Sequence, residues 1–517
     1  MWARLAREQS LHYTLSYSSC TSYYLEPLPI FRTILETTQP DAWIWSGDMV
    51  YLDDPITDCD PLSPSWLDHF DTCQCDNSDY IKIPDHSCGS GEPEHAERIW
   101  DGFLNSEDYR TFVDYFCGPE STSPGGGVRG GGRGEECEKG IYGIYDDHDY
   151  GWNDGNRRME ERVRFKEMYL DAIGVPQTSS RRGHHNGAET WYELAEGVEV
   201  WILDERWNRD PLPCGLRESW CEEEIEKEGS KMGWCKDYVE GNCCEHDERI
   251  YFGYCREVGA EEDELYDYAC DHRSVKFGTK AVRIDEVTGK LTDQVDHEDV
   301  YGYGFCGMLG QTQREWFRRT LLESKAELKI VISGSVLFSN PGWAGSRGPC
   351  SGDDWDCYNA EQRWLVNLLM ESGDENEGRS PIVVTGDYHF SDIRKVCPGQ
   401  NEAYADAYGT GGRPSSGACV YQHMASGMSH TTAVPHQSCE FPPYLKDRTG
   451  MRERAGQNGC GIVQGPNWGE MIVDGKERTV EIRTREGGEG GIVISTTIDL
   501  DDGMKVKESI KNTLGGG

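Results

Sequence analysis

The sequence lacks the segments that most directly reveal where a protein is located. No stretch is apolar enough to cross a membrane, and residues 1–20 contain no continuous apolar run of the kind found in secretory signals. No Asn-x-Ser/Thr acceptor for N-glycosylation occurs in the chain. These absences predict a protein without a transmembrane segment, and its compartment has to be inferred from other residues.

Signatures of several common enzyme classes are missing as well. There is no His-Glu-x-x-His motif, no Gly-x-Ser-x-Gly after a predicted strand, and no Gly-x-Gly-x-x-Gly between a strand and a helix with an acidic residue downstream. The glycine-rich residues 125–134 are not followed by Gly-Lys-Ser/Thr, which favours a flexible linker over a phosphate-binding loop. Neither serine hydrolase nor nucleotide-binding chemistry is therefore supported.

Basic residues are scarce: 51 lysines and arginines stand against 92 acidic residues, and the net charge is −41. Such a charge repels phosphate backbones, so a nucleic acid is not expected as a stable partner. Most of the acidic residues are interpreted as a solvated surface. The charge does not exclude a small phosphorylated substrate, because bound cations would dominate the local field at a metal site.

The chain contains 21 cysteines, many of them in glycine- and aspartate-rich stretches. This density favours disulfides and an extracellular or secretory location. Structural zinc is the weaker alternative, because no Cys-x-x-Cys pair occurs. The cysteines therefore indicate secretion, whereas residues 1–20 show no secretory signal. The two observations are compatible if the N-terminus is incomplete or if export follows another route.

Short apolar runs that stop at acidic or small residues predict buried strands at residues 42–46, 141–145, 198–203, 328–332 and 381–385. Amphipathic patterns predict helices at residues 158–173, 311–322 and 361–370. The alternation of strands and helices indicates an α/β core. Further strands at residues 420–427, 469–473, 479–484 and 491–500 predict an antiparallel end to the sheet.

Long segments without such patterns separate these elements. They are predicted as inserts at about residues 55–98, 118–138 and 211–300. We interpret residues 1–517 as a single domain whose catalytic core covers about residues 17–500.

Acidic residues follow three of the predicted strands directly. Asp48 follows Gly47, the run Asp-Asp-His-Asp occupies residues 146–149, and Asp387 lies two residues before His389. Because ligands bind beyond the carboxyl ends of strands in α/β sheets, these carboxylates are expected to converge, and a cation would relieve their repulsion. A single Gly-Asp after a strand is ordinary turn chemistry, and residues 146–155 fail the EF-hand pattern. Three such ends, two with histidine, favour a metal site.

The ligand types are mixed. Carboxylate and amide oxygens suit hard ions such as calcium, magnesium or manganese, whereas histidine, phenolate and thiolate suit a transition metal such as iron. Asn153 is a candidate ligand of the first kind, and Tyr51 and His389 are candidates of the second. A mixed two-metal site of this type can activate a water for in-line displacement at phosphorus.

The motifs resemble, in order, those of the PhoD-like alkaline phosphatases, a branch of the metallophosphoesterases. The segments that carry the resemblance are YSSCTS (17–22), WSGDMVYLD (45–53), DYR (108–110), YDDHDYGWND (145–154), LDER (203–206), LGQTQREW (309–316), GDYHFSD (386–392), ASGMSH (425–430) and NWGE (467–470). YDDHDYGWND is the most specific of them. The resemblance covers about residues 17–500.

The resemblance implies a four-layer α/β/β/α sandwich and a role for each matching residue. Asp48 would bridge the metals, Cys20 and Tyr51 would ligate Fe³⁺, and Asp147, Asn153 and Asp387 would hold the remaining ions, which are Ca²⁺ in well-known members of the family. Arg206 would hold the phosphate, His148 would donate to the phosphate or protonate the leaving group, and His389 would be a ligand or its partner. The cysteine-rich inserts, and Asp149 where many members have Glu, depart from the family pattern.

Two functions from different classes are consistent with the sequence. The first is a phosphoric ester hydrolase, either a phosphomonoesterase or a phosphodiesterase, that uses a metal-activated water. The second is a secreted, acidic, disulfide-rich calcium-binding protein without catalysis. The histidine and arginine residues beside aspartates favour the first, because calcium binding at a surface requires neither.

Overall fold

The computed structural model describes residues 12–21, 29–52, 93–118, 140–151, 155–157, 159, 161–183, 186–209, 281–284, 291–295, 307–338, 355–397, 418–431, 463 and 465–511. Its strands are β1 (His12–Ser18), β2 (Ala42–Ser46), β3 (Gly140–Ile144), β4 (Thr190–Ala195), β5 (Val198–Ile202), β6 (Ala281–Ile284), β7 (Leu291–Val295), β8 (Leu328–Ser333), β9 (Ile382–Thr385), β10 (Ser391–Val396), β11 (Val420–Ala425), β12 (Asn467–Asp474), β13 (Thr479–Glu486), β14 (Ile492–Asp499) and β15 (Lys505–Lys511). Its α-helices are α1 (Pro29–Thr37), α2 (Pro93–Asn105), α3 (Glu107–Cys117), α4 (Arg162–Ala172), α5 (Gly310–Glu323) and α6 (Asn359–Glu375).

One sheet has the strand order β15-β14-β13-β12-β1-β2-β3. Strands β1, β2 and β3 are parallel, whereas β12 to β15 are joined to β1 and to one another in antiparallel fashion. The antiparallel end predicted from the C-terminal third is thus confirmed. Because β1, β2 and β3 are parallel, their carboxyl ends lie side by side at one edge of the sheet.

The second sheet has the order β10-β11-β9-β8-β5-β4. Its central strands β5, β8, β9 and β11 are parallel, and the two outer strands are antiparallel to their neighbours. All six residues of β8 (LKIVIS) are buried. Continuous apolar sequence of this kind is typical of a parallel strand that is covered on both faces.

Two apolar clusters hold the sheets and helices together. The first contains residues of both sheets, among them Ile44 of β2 and Ile330 of β8, together with helix residues such as Phe31. The second joins Val331 of β8 to residues of α5 and α6 such as Phe317 and Leu365. The predicted α/β class is therefore confirmed as a mixed α/β fold with two mixed sheets.

The predicted inserts fall mostly outside the described residues. Within 211–300 the structure describes the β6–β7 pair, and helix α2 already begins at Pro93, inside the segment predicted as 55–98. Cys397 and Cys419 form a disulfide between the end of β10 and the start of β11, whereas Cys20 is a buried free thiol. None of the helices in the described part of the chain combines the length and the apolarity that a membrane span requires.

Candidate metal centre

The parallel strands of both sheets end at one site. Cys20 follows β1, Asp48 follows β2, and residues 146–149 follow β3. From the second sheet, Asp387 follows β9, and residues 426–430 follow β11. Because the parallel strands of both sheets end at the same edge, they bring together side chains that are up to about 400 residues apart in sequence, as expected for α/β sheets.

The backbone at these strand ends adopts a conformation that is rare for side-chain-bearing residues. The φ angles of Cys20, Asp48, Asp387 and His389 are 61°, 47°, 78° and 61°. The left-handed region costs roughly 1–2 kcal/mol for each such residue. Strain of this kind concentrates at functional sites, where surrounding structure holds it in place.

Glycine allows the acidic loops to approach one another. Gly47 has a φ of 98°, and a Cβ added there would lie 2.5 Å from Asp146 Cβ. A Cβ at Gly386 would lie 2.4 Å from the carbonyl oxygen of Ser46. The Gly-Asp pattern read from the sequence therefore reflects close contact between loops as well as a sharp turn.

Asp48 lies at the middle of the site. Among the residues that the structure describes, three groups have potential ligand atoms within 4.8 Å of one another: Asp48 with Cys20 and His389, Asp48 with Asp147 and His148, and Asp48 with Asp146 and Asp387. Asp48 is the member that all three share. This geometry suits a carboxylate that bridges two cations.

The chemistry of Asp48 fits a cation. Its carboxyl is buried, and burial, together with the charges of Cys20, Asp147 and Asp146, raises its pKa well above the usual range. Within the described residues, Asp48 Oδ1 is buried without a hydrogen-bond donor. Buried acidic oxygens without donors are costly, and metal coordination is the simplest arrangement that compensates that cost.

A softer set of potential ligands lies near Asp48. Cys20 Sγ lies 3.4 Å from Asp48 Oδ2 and 3.1 Å from Ser426 Oγ, and burial raises the pKa of the thiol. The Tyr51 hydroxyl lies 2.9 Å from His389 Nε2. Thiol, phenol and imidazole together are the ligands that favour a transition metal.

Three histidine rings surround Tyr51. The ring centroids of His148 and His430 lie 4.1 Å and 4.7 Å from that of Tyr51, and His389 stacks on His430 at 4.3 Å. Burial, followed by the nearby His430 and His148, lowers the pKa of His389 well below its usual value. A neutral imidazole of this kind is the form that ligates metals.

Arg206 is buried against the acidic loop. The guanidinium is fully buried, its Nε donates to Asp146 Oδ1 at 2.6 Å, and Nη2 lies 3.6 Å from Asp147 Oδ1. Burial raises the pKa of Asp147, but the charges of Arg206 and His148 outweigh burial and lower it overall. Arg206 therefore keeps Asp147 ionised, and its predicted contact with phosphate stays a prediction.

Asp149 joins two of the loops. Its Oδ1 accepts from the backbone N–H of Val50 at 2.9 Å and its Oδ2 from that of Asp146 at 3.1 Å. Burial raises its pKa to about 8. Asn153, the remaining predicted ligand, lies outside the described residues.

Sequence reasoning assigned no role to Ser426 or His430, and it gave Asp146 only as one of the converging carboxylates, although all three lie in the cluster. Ser426 Oγ contacts Cys20 Sγ and accepts from the backbone N–H of His389 at 2.8 Å. The segment ASGMSH at residues 425–430 was the available signal for Ser426 and His430.

Comparison with known proteins supports the motif resemblance. A family model described as PhoD-like phosphatase matches residues 271–416. A solved structure described as "Structure of PhoD" has a TM-score of 0.54 at 11% identity, covering 98% of this chain and 73% of that chain. Another, described as "GAP50 the anchor in the inner membrane complex of Plasmodium", has a TM-score of 0.34 at 7% identity, covering 96% and 90%. No curated protein matches the sequence. The predicted resemblance to the PhoD-like phosphatases is therefore confirmed.

Proposed function

We propose that this chain, which resembles the PhoD-like phosphatases, hydrolyses phosphate esters of small molecules in a metal-dependent reaction. The observation that carries the proposal is the position of Asp48, which is shared by three groups of potential ligands. A single bridging carboxylate between a thiol-containing group and an all-oxygen group suits a two-metal hydrolase. Monoesters and diesters are both candidate substrates.

The proposed ligands divide according to their chemistry. Cys20, Tyr51 and His389 would hold Fe³⁺, because sulfur, phenol and imidazole favour a transition metal. Asp147 and Asp387, with Asn153 and the neighbouring Asp146, would hold Ca²⁺ or a similar hard ion. Bound metal ions would supply a nucleophilic water near neutral pH and positive charge against the phosphate oxygens.

The protein's own groups would complete the reaction. His148 lies against Tyr51 and beside Asp147, so its ring nitrogen is placed to donate a proton to the leaving-group oxygen. Arg206 would hold a phosphate oxygen if its guanidinium turned from Asp146, and otherwise acts by keeping Asp146 and Asp147 in position. Asp149 would fix the distance between the loops after β2 and β3.

The wider organisation is proposed on the same basis. Apolar contacts between the sheets, and between the second sheet and α5 and α6, support a four-layer α/β/β/α sandwich. We propose one catalytic domain with a core of about residues 17–500 and cysteine-rich inserts. The Cys397–Cys419 disulfide supports a secreted protein.

The test compares the intact protein with Asp48→Asn and Asp387→Asn, with Asp501→Asn as the control for loss of an exposed carboxylate. Bound metals are measured by mass spectrometry, and hydrolysis is measured with p-nitrophenyl phosphate and bis-p-nitrophenyl phosphate. We expect stoichiometric metal and activity in the wild type and in Asp501→Asn. Each active-site variant should lose metal and at least about 100-fold of the activity, a barrier increase of about 2.7 kcal/mol.

The outcome also separates the two functional hypotheses. Full activity in both active-site variants would reject the proposed site. A folded wild type that binds many calcium ions weakly, holds no tight metal and hydrolyses neither ester would favour the non-catalytic calcium-binding protein. The preferred ester would distinguish a monoesterase from a diesterase.

A further inference from the structure

A polar pocket lies on the seven-stranded sheet, away from the metal centre. Its volume is about 390 Å³, at the small end of the range for ligand pockets. The strand register places Thr14, Ile472, Glu481 and Thr497 in one row across β1, β12, β13 and β14, on one face of the sheet. Thr37 and Thr38 at the end of α1 close one side, and none of the proposed metal ligands lines the pocket.

Glu470 is a buried charged residue in this pocket. Its carboxylate is 1% exposed, and its donors converge on one oxygen. Oε1 accepts from Thr38 Oγ1 and from Trp468 Nε1 at 3.4 Å, and Arg485 Nε lies 2.6 Å from it. Oε2 is buried and has no hydrogen-bond partner among the described residues; Arg483 Nη1 lies 3.8 Å away, too far for a hydrogen bond.

The two atoms Glu470 Oε2 and Arg483 Nη1 limit which ligand group could bind between them. That atom must accept from a guanidinium and donate to a carboxylate. A carboxylate cannot donate to Oε2, and an ammonium cannot accept from Arg483. A hydrogen phosphate could do both, but it would face the carboxylates of Glu470, Asp474 and Glu481 in the same pocket. A hydroxyl does both. Arg483 is 22% exposed and is held by Glu481 through two bonds of 2.7 Å, so its Nη1 stays in place opposite Glu470 Oε2, where one hydroxyl oxygen could bond to both.

The remaining lining has the same chemistry. It includes the hydroxyls of Thr14, Thr37, Thr38, Thr479 and Thr497, each of which both donates and accepts. Ile472 supplies an apolar surface among them. A ligand with several hydroxyls on an apolar ring would match both features.

We propose that this pocket binds a sugar: a hexose, either free or at the end of a short glycan. One ring hydroxyl would bridge Glu470 Oε2 and Arg483 Nη1, and other hydroxyls would contact the threonines. The site lies outside the proposed catalytic machinery and does not depend on the proposed hydrolase activity.

The test measures binding of D-glucose, D-galactose and D-mannose, and of trisaccharides that end in each, by saturation-transfer NMR and calorimetry on the full chain. At least one sugar should bind with a Kd of about 10 mM or tighter. Thr497→Phe, which fills the pocket from a half-buried strand position, should weaken binding at least about tenfold. Thr111→Phe, the same change on the exposed side of α3, should have no effect.

Two further variants locate the site. Glu470→Gln, which replaces one acceptor oxygen by a donor, should also weaken binding about tenfold. Asp48→Asn, at the metal centre, should bind the sugar like the wild type. The proposal is overturned if no sugar of the panel binds at about 50 mM, or if Thr497→Phe binds as the wild type does. Stronger binding of a trisaccharide than of its hexose would identify a glycan end as the ligand.

Discussion

Individual residues at the candidate metal centre are placed by backbone conformations that few residue types tolerate. Gly47 combines a φ of 98° with the close approach of Asp146. Gly118 has a similar φ of 85°, but a Cβ there would meet nothing within 4 Å. The two positions therefore separate the cost of the left-handed backbone from the cost of the contact with the acidic loop.

Gly47→Ala is predicted to be more harmful than Gly118→Ala. Both pay roughly 1–2 kcal/mol for the backbone, but only Gly47→Ala must push Asp146 away, which adds about 1–3 kcal/mol as overpacking does. Urea unfolding measures the difference in the free energy of unfolding, and metal analysis measures occupancy. Equal stability and equal metal content in the two variants would show that the loop contact is unimportant.

His423, which is not one of the proposed ligands, links pH to stability. The ring is buried between Tyr17, 2.6 Å from Nδ1, and Thr484, 2.9 Å from Nε2. Burial lowers its pKa from 6.5 to about 3. Below pH 6.5 the unfolded chain binds a proton that the folded chain does not, so stability is full above pH 6.5 and falls as the pH drops towards 3.

His423→Gln should remove this pH dependence. Between pH 7.5 and pH 5, the histidine should cost the wild type about 2 kcal/mol of the free energy of unfolding. Tyr17→Phe is the control, because it removes the hydroxyl beside Nδ1 and keeps the titrating ring. If His423→Gln and Tyr17→Phe lose equal stability on acidification, His423 is not the responsible group.

At the same scale, the residues of the site were only partly predictable. Asp48, Asp147 and Asp387 were recognisable because each follows a strand with glycine or a second aspartate. Ser426 was not assigned a role, because its contact with Cys20 spans 406 positions and its local sequence contains no acidic residue. Contacts of that kind depend on how two sheets face each other.

At the scale of the element, strands with uniform apolar or regularly alternating sequence were predictable, whereas β10, with its buried charges, was not. The strand predicted at residues 328–332 corresponds to β8, which extends one residue further. It was predictable because both of its faces are buried, so its sequence is almost continuously apolar. Strand β10 was not predicted, although it is mostly buried. Its charges are hidden as an internal ion pair, Arg394 Nε to Asp392 Oδ2 at 2.5 Å, whereas sequence patterns assume that charges face solvent.

Helix α5 shows how an element outside the site positions it. Gln313, buried on α5, accepts from the backbone N–H of Asp204 at 2.8 Å and donates to its carbonyl at 2.7 Å. Asp204 in turn accepts from the N–H groups of Arg206 and Trp207. The end of β5, and with it the arginine that contacts Asp146, is therefore fixed to α5 by one amide side chain.

Gln313→Leu should destabilise the protein and loosen Arg206. Two buried backbone groups would lose their partners, at about 1–3 kcal/mol each. Gln311→Leu, two residues earlier and exposed on the same helix, should change stability by less than about 0.5 kcal/mol. Urea unfolding tests the stability, and metal affinity measured in buffer without denaturant tests the site. Unchanged metal affinity in folded Gln313→Leu would mean that α5 does not position the centre.

At the scale of the whole molecule, the net charge of −41 should oppose folding at low salt. The compact state brings like charges closer together than the unfolded chain does, so their repulsion destabilises it. Salt screens this repulsion: the Debye length falls from about 30 Å at 0.01 M to about 8 Å at 0.15 M. We therefore expect the urea midpoint at pH 8 to rise between 0.01 M and 0.15 M KCl. At pH 5, close to the sequence pI of about 4.7, the rise should be much smaller because the net charge has nearly vanished. A midpoint that falls with salt at pH 8 would show instead that surface ion pairs outweigh the repulsion, since screening weakens those pairs too.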